Sequence, residues 1–265
     1  MRMLWAFITD KEVAIPIDHH EHLQDLVHAI AGETILQQRE GSENGRMYHF
    51  SNLRSQSRRI LDGSIHFSAG RIEWQFASPS TPILEKVHEF TQTRETVTIG
   101  GHTLRIAAVK EINAPDFSKG IMDCTCLTPL VTPAVQQPSP FLTRYLRPLH
   151  HAEAVEAVIV NELVRTYTLL TGLEHADTTV QIKFNQNYIR KDPREGTRKV
   201  RFRGEDIIGC YAPFIMIAAQ DLLQTAWECG LGHRRGDGFG MISMRPPRDN
   251  EQREHASGKD SDRHE

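Results

Sequence analysis

Between Gly230 and Gly240 the chain reads Gly-Leu-Gly-His-Arg-Arg-Gly-Asp-Gly-Phe-Gly, five glycines in eleven residues around one imidazole and two guanidiniums. Glycine backbone can turn sharply and present bare N–H groups to a partner, and the cations favour a polyanionic one. Gly232, His233, Arg234, Arg235, Gly238 and Gly240 are the candidate contacts of this loop. It matches neither common nucleotide signature. No Lys-Ser/Thr pair follows as in a P-loop, and Gly230 and Gly232 lack the third glycine, three residues on, of a dinucleotide fold. A flexible hairpin-like connector is the competing reading. A second source of charge lies upstream. Gln181–Arg203 holds Lys183, Arg190, Lys191, Arg194, Arg198, Lys199, Arg201 and Arg203 against only Asp192 and Glu195. That excess suits a phosphate backbone; the plainer alternative is a charged hairpin that keeps an edge strand soluble.

Histidine is the side chain suited to moving protons near neutral pH. His20, Gln24 and His28 recur at every fourth position and line one stripe of a helix beside its apolar face. His19 and His22 share a face, but a third ligand and the spacing of a known zinc site are missing. No metal or other cofactor is expected, and these histidines read as a solvated helix start. Cys124 and Cys126 sit two apart on one side of a strand-like run, with no second close pair to complete a zinc site. With Cys210 and Cys229 they read as reduced core thiols of a cytoplasmic protein.

The elements that must position these residues follow from patterning. The 265 residues suffice for one large or two small domains. A net charge of −3 argues weakly against nucleic acid, so distribution matters more than the sum. No apolar run approaches the ~18 residues of a membrane span, and the opening Met1–Thr9 reads as a strand rather than a signal peptide. Asp18 and Glu21 form a plausible capping box for a helix from His19 to Ala31, with Leu23, Leu26, Val27 and Ile30 on its apolar face. Arg46–Leu53 and Arg71–Phe76 read as strands, and Pro82–Thr91 as a helix. Asp62-Gly63 and Gly100-Gly101 mark two hairpins. The second half repeats the order. Ile121–Leu130 is a strand and His150–Leu170 a helix stopped by Gly172. Val180–Ile189 and Arg198–Arg203 are strands around the basic turn. A helix over Pro213–Cys229 has Pro at its start and Gly just past its end, and the loop leads into a last strand, Phe239–Met244. Two βαββαβ halves predict an α+β protein of two tandem ferredoxin-like domains, 1–119 and 120–246. The tail 247–265 mixes charges without apolar periodicity and reads as disordered.

In that order the residues resemble the CRISPR-associated endoribonucleases that cut repeat RNA, members of the RAMP superfamily. The marks are Ile15-Pro16-Ile17 before the helix, the run from His22 to His28, Met47 to Leu53, and the Thr96–Leu104 hairpin. Leu127 to Leu130 resembles the opening of the family's second domain, and the glycine loop before the last strand is the most specific mark. The resemblance implies a nuclease that recognises a repeat in precursor crRNA and cuts beside it without a metal. The RNA's own 2′-OH attacks the adjacent phosphorus, leaving 2′,3′-cyclic phosphate and 5′-OH ends. The implied partners are the repeat RNA, precursor and mature, and other CRISPR effector subunits; a membrane is not among them.

The resemblance also implies roles for single residues. His28 occupies the position of a family tyrosine on the active-site helix and is the first candidate for proton transfer; a boundary histidine is the alternative. Arg46 opens the following strand where the family places a basic residue that can hold the scissile phosphate. Many members carry their main histidine in the connector after the first helix, and Glu33–Gly45 contains none. Either His28 or His49 substitutes, or the protein binds RNA without cutting it. His49, alternating with Tyr48 and Phe50, also fits a cross-strand surface position. Lys183, Arg190, Lys191, Arg194, Arg198, Lys199 and Arg201 would contact phosphates, and the loop would contact backbone near the cut. A non-catalytic RNA-binding subunit and a ferredoxin-like ligand-binding or scaffold protein are the rivals.

Overall fold

The computed structural model describes residues 1–32, 47–134 and 145–245. Arg46, the connector before it and the tail lie outside these described residues. Two antiparallel sheets carry the fold. The first comprises β1 (Arg2–Thr9), β3 (His49–Phe50), β6 (Gly70–Ala77), β7 (Thr96–Ile99) and β8 (His102–Ile112), in the order β3-β6-β1-β8-β7. Helices α1 (His20–Ala31) and α2 (Thr81–Thr93) belong to the same unit. The second sheet comprises β9 (Ile121–Cys126), β10 (Gln181–Phe184), β13 (Phe214–Ile217) and β14 (Ile242–Met244), ordered β10-β13-β9-β14. Its helices are α3 (Ala152–Thr171) and α5 (Gln220–Cys229), with a short α4 (Gln186–Lys191) after β10. Taken as βαββαβ units, the two halves place their four core strands in the same order, 2-3-1-4. This is the tandem ferredoxin-like arrangement that the patterning predicts.

Each sheet buries one face against its helices. Trp5, Phe7, Trp74 and Phe76 alternate inward from β1 and β6, and Trp5 meets Trp74 edge-on at 5.7 Å between rings. Leu23, Leu26, Val27 and Ile30 close that core from α1, as their spacing requires. Met122, Cys124, Phe214 and Met216 do the same for the second sheet beneath Ile159, Leu163, Leu222 and Leu223. All four cysteines are free and buried, and burial raises each thiol above its ordinary range.

Two smaller sheets project from this frame. One joins β2 (Val13–Pro16), β5 (Ser64–Phe67) and β4 (Arg58–Leu61); Asp62 and Gly63 turn it with φ of 49° and 72°. The other is a hairpin of β11 (Thr197–Phe202) and β12 (Glu205–Cys210), turned by Arg203-Gly204. Two expectations fail here. Residues 185–189 do not extend the strand, because Asn185 accepts the Tyr188 N–H and starts α4. Nor does a helix begin at Pro213. Phe214–Ile217 is a central strand, paired with β9 and β10, and the helix starts at Gln220. A short apolar run buried on one face reads alike as strand or helix.

Candidate functional site

Of the stripe His20, Gln24, His28, helix α1 meets the second unit through His20 and Gln24. The His20 ring is buried and stacks on Phe239 of the glycine loop, with ring centroids 5.0 Å apart. One turn on, Gln24 donates from Nε2 to Asp237 Oδ1 at 2.7 Å and to the Gly236 carbonyl at 3.2 Å. Its Oε1 accepts from the Arg203 guanidinium at 2.7 Å. His28 follows another turn along, half-buried, where the stripe emerges at the surface. The hairpin β11–β12 thus leans on α1, and two carboxylates hold it there. Asp18 Oδ1 accepts the Arg201 N–H at 3.1 Å, and Glu21 accepts the Arg203 N–H. The predicted capping box is therefore corrected. His19 is the N-cap, no side chain caps the helix, and both acids reach across to the second unit instead.

The expectation that the glycine loop presents bare N–H groups is corrected as well. The amides of Leu231, His233, Gly238 and Gly240 donate to the carbonyls of Gly240, Val131, Arg235 and Pro129. The glycines serve close packing of protein on protein. At Gly238, φ is +86° and a Cβ would enter the Phe50 ring; at Gly232 it would lie 2.7 Å from the Val131 carbonyl oxygen. A Cβ on Gly240 would run into the Leu231 carbonyl. Gly232, Gly238 and Gly240 face protein, and the loop is a clasp between the units.

The loop's cations divide. Arg235 is buried, donates to Thr166 Oγ1 at 2.6 Å, and has its pKa pushed below the ordinary arginine value by burial. Arg234 donates to Glu205 at 2.7 Å and Asp237 at 3.0 Å; burial opposes its charge, but these two acids outweigh it and raise its pKa. Both are spent inside the protein. His233 is half-buried with Nε2 3.6 Å from Glu162. His49 is not at the surface. It is fully buried, with Nε2 3.0 Å from the Glu228 carbonyl, and burial holds its pKa well below the usual histidine range. A group so enclosed cannot reach a substrate from where it sits. His19 is likewise internal. Nδ1 faces the carbonyls of Pro16 and Ile17 at 3.1 Å and Nε2 accepts the Leu53 N–H, so both nitrogens are committed to backbone rather than to a metal.

The upstream charge is differently disposed. Lys183 is exposed on edge strand β10, Arg190 and Lys191 end α4, and Arg194 and Arg201 are exposed beyond it. Among the described residues none of these five side chains has an ion pair. Lys199 pairs with Asp206 at 3.1 Å, and Arg198 pairs with Asp192 at 3.0 Å while lying over the Tyr211 ring. Beside them Arg147, Arg194, Lys199 and Glu195 wall a surface pocket of about 430 Å³. A second pocket, of about 580 Å³, lies against Arg54, Arg58 and Arg71 of the first unit. Arg147, Arg54 and Arg203 carried no signal in the sequence beyond their charge, because each is isolated from the dense basic run or stands at its edge.

Known proteins share this fold. The family described as CRISPR associated protein Cas6, C-terminal, matches residues 112–244. A search of curated proteins by sequence found no match. Among solved structures, a Cas6-related protein from Pyrococcus furiosus superposes with a TM-score of 0.78 at 18% identity, covering 94% of this chain and 99% of that one. A protein described as CRISPR associated protein Cas6 gives 0.74 at 17%, over 93% and 99% of the two chains. A RAMP protein described as binding different RNA substrates gives 0.77 at 17%, over 93% and 100%. The matched segment spans β9, the helices of the second unit, the glycine clasp and β14, and the chain belongs to the Cas6 family of CRISPR-associated proteins.

Proposed function

We propose that this protein binds the repeat of a CRISPR precursor RNA and cleaves it by transesterification, with the RNA's 2′-OH as nucleophile. The 2′-oxygen forms a bond to the adjacent phosphorus as its proton leaves, and the bond from phosphorus to the 5′-oxygen breaks. The 5′-oxygen takes up a proton, so the products are a 2′,3′-cyclic phosphate and a 5′-OH. His28 moves one of these protons, and Arg46 offers a guanidinium to the phosphate. The observation that carries the reading is the α1 stripe. The helix is pinned to the clasp through His20 and Gln24, and its next turn brings His28 half-exposed to the edge of that junction. Lys183, Arg190, Lys191, Arg194 and Arg201, exposed and without ion pairs among the described residues, supply the phosphate contacts, with Arg198 and Lys199 beside them. His49, Arg235 and the loop glycines take no part in contacting RNA.

The test is a cleavage gel with repeat RNA in EDTA. Cutting that is abolished by one 2′-deoxy substitution at the scissile nucleotide supports the reading. His28→Ala is expected to slow it by ~10²-fold or more while leaving affinity nearly intact, the usual worth of one acid–base group. An unchanged rate removes His28 from the chemistry. The second reading is a non-catalytic RNA-binding subunit, favoured by the absence of histidine from Glu33–Gly45. Tight, salt-dependent binding of repeat RNA with no cutting selects it. No binding at low salt refutes both and leaves a scaffold or ligand-binding role.

A further inference from the structure

Helix α5 ends at Cys229, immediately before the clasp, and its last carbonyls need partners that the helix cannot supply. The Ala226 carbonyl accepts the Gly230 N–H at 3.0 Å. The next two are taken by the other unit. Arg2 Nη2 donates to the Trp227 carbonyl at 2.6 Å, and the Glu228 carbonyl meets His49 Nε2 at 3.0 Å. Arg2 Nη1 donates at 2.7 Å to the Ile242 carbonyl, on the strand that leaves the clasp. One guanidinium therefore brackets the chain where it enters the loop and where it departs. The His49 ring fills the space that a Gly230 side chain would occupy, since a Cβ there would lie 2.8 Å from Nδ1. Phe50, the next residue of β3, plays the same part at Gly238.

Burying a guanidinium is costly, and burial lowers the pKa of Arg2 to about 9. The site offsets that cost in two ways. The C-terminal end of a helix carries partial negative charge, and the Arg2 guanidinium lies over the Trp227 ring at 3.6 Å. A cation kept in so expensive a place, and aimed at both ends of one loop, has that loop as its object.

We propose that Arg2 and His49 are positioning residues: together they cap α5 from the first unit and so fix the clasp against helix α1. His49 acts here as a neutral N–H donor to a carbonyl, with no proton leaving it during turnover. The rate arm of the test rests on the cleavage reading; the exchange arm does not.

The test compares His49→Gln, whose amide keeps an N–H within reach of the Glu228 carbonyl, with His49→Leu and with Arg2→Lys. Amide hydrogen exchange is followed across residues 230–240, with α2 as the internal reference, and cleavage of repeat RNA is followed at saturating RNA across pH. His49→Leu and Arg2→Lys are expected to speed exchange in the loop at least tenfold relative to α2. They are also expected to lower kcat by a similar factor with little change in KM. His49→Gln is expected to restore both and to keep the wild-type pH profile. A His49→Gln rate as low as that of His49→Leu overturns the proposal in favour of chemistry at the imidazole. Unchanged loop exchange in His49→Leu, or equal acceleration throughout α2, overturns it too. If the wild type cuts nothing, the cleavage reading falls while the exchange comparison still decides the positioning role.

Discussion

Gly238→Ala tests whether the clasp is held by protein packing. The wild-type residue has φ of +86°, and an added Cβ would enter the Phe50 ring. Left-handed backbone costs a residue with a side chain roughly 1–2 kcal/mol, and overpacking a filled core costs about 1–3 kcal/mol more. The single substitution should therefore destabilise by roughly 2–5 kcal/mol. The two contributions separate in a double-mutant cycle. Phe50 is fully buried against Trp74, rings 5.9 Å apart, so Phe50→Ala should cost about 3–5 kcal/mol alone. In the double variant the steric part disappears and the backbone part stays, leaving the pair more stable than the sum of the singles by about 1–3 kcal/mol. Urea unfolding followed by tryptophan fluorescence reads this directly, because Trp74 sits beside the changed ring. Additivity within ~0.5 kcal/mol would refute the packing argument, and so would a single-variant cost below that size.

Two further outcomes are expected. Burial lowers the pKa of His19 to about 4 and of His20 to about 3, each below an unfolded value of about 6.5. The unfolded chain therefore takes up these protons first as pH falls. Stability is full above about pH 6.5 and declines toward pH 4 and 3, by on the order of 3 kcal/mol for His19 and about 5 kcal/mol for His20. His20→Phe, which keeps a ring on Phe239, should flatten that acid limb in urea midpoints measured from pH 7.5 to 4.5; an unaltered limb refutes the assignment. Reversing Lys183, Arg190 and Lys191 to Glu should leave stability unchanged and flatten the log K against log salt slope for repeat RNA by about 2–3. A slope equal to the wild type's would remove this edge from the interface.

The parts of the fold visible in the sequence are those in which a local rule and the tertiary environment agree. Asp62-Gly63 and Gly100-Gly101 turn hairpins because both positions need positive φ, and both have it. The α1 stripe is apolar at helical spacing and buries those residues. Phe214–Ile217 was not legible as a strand, because its apolar run continues through Ala218 and Ala219 right up to Gln220, where α5 begins. The glycine loop was legible as a place of close approach but not as to what approaches it. Its neighbours His49 and Phe50 lie some 180 residues earlier, and nothing in either segment names the other. Asp18 and Glu21 illustrate the same limit. Their spacing satisfies a capping rule, yet the hairpin N–H groups outcompete the helix for both carboxylates.

Charge was the most misleading of the legible signals, for a physical reason. Arg2, Arg234 and Arg235 carry the same guanidinium as Arg190, Arg194 and Arg201. What separates the two sets is whether a carbonyl, hydroxyl or carboxylate of the chain itself lies within reach. Arg2 finds Trp227 and Ile242, Arg234 finds Glu205 and Asp237, and Arg235 finds Thr166. The bonds of Arg2 and Arg235 are buried, so releasing either cation to bind a phosphate would leave a buried acceptor unpaired, at about 1–3 kcal/mol, while those of Arg234 are part-buried ion pairs. A transcript offers no return for breaking them. The exposed set has no such bond to give up, and displaced counterions favour its pairing with phosphate. Arg2 ties the first unit to the second, Arg234 and Arg235 are held within the second, and the exposed Arg190, Arg194 and Arg201 are among the side chains proposed to contact the RNA.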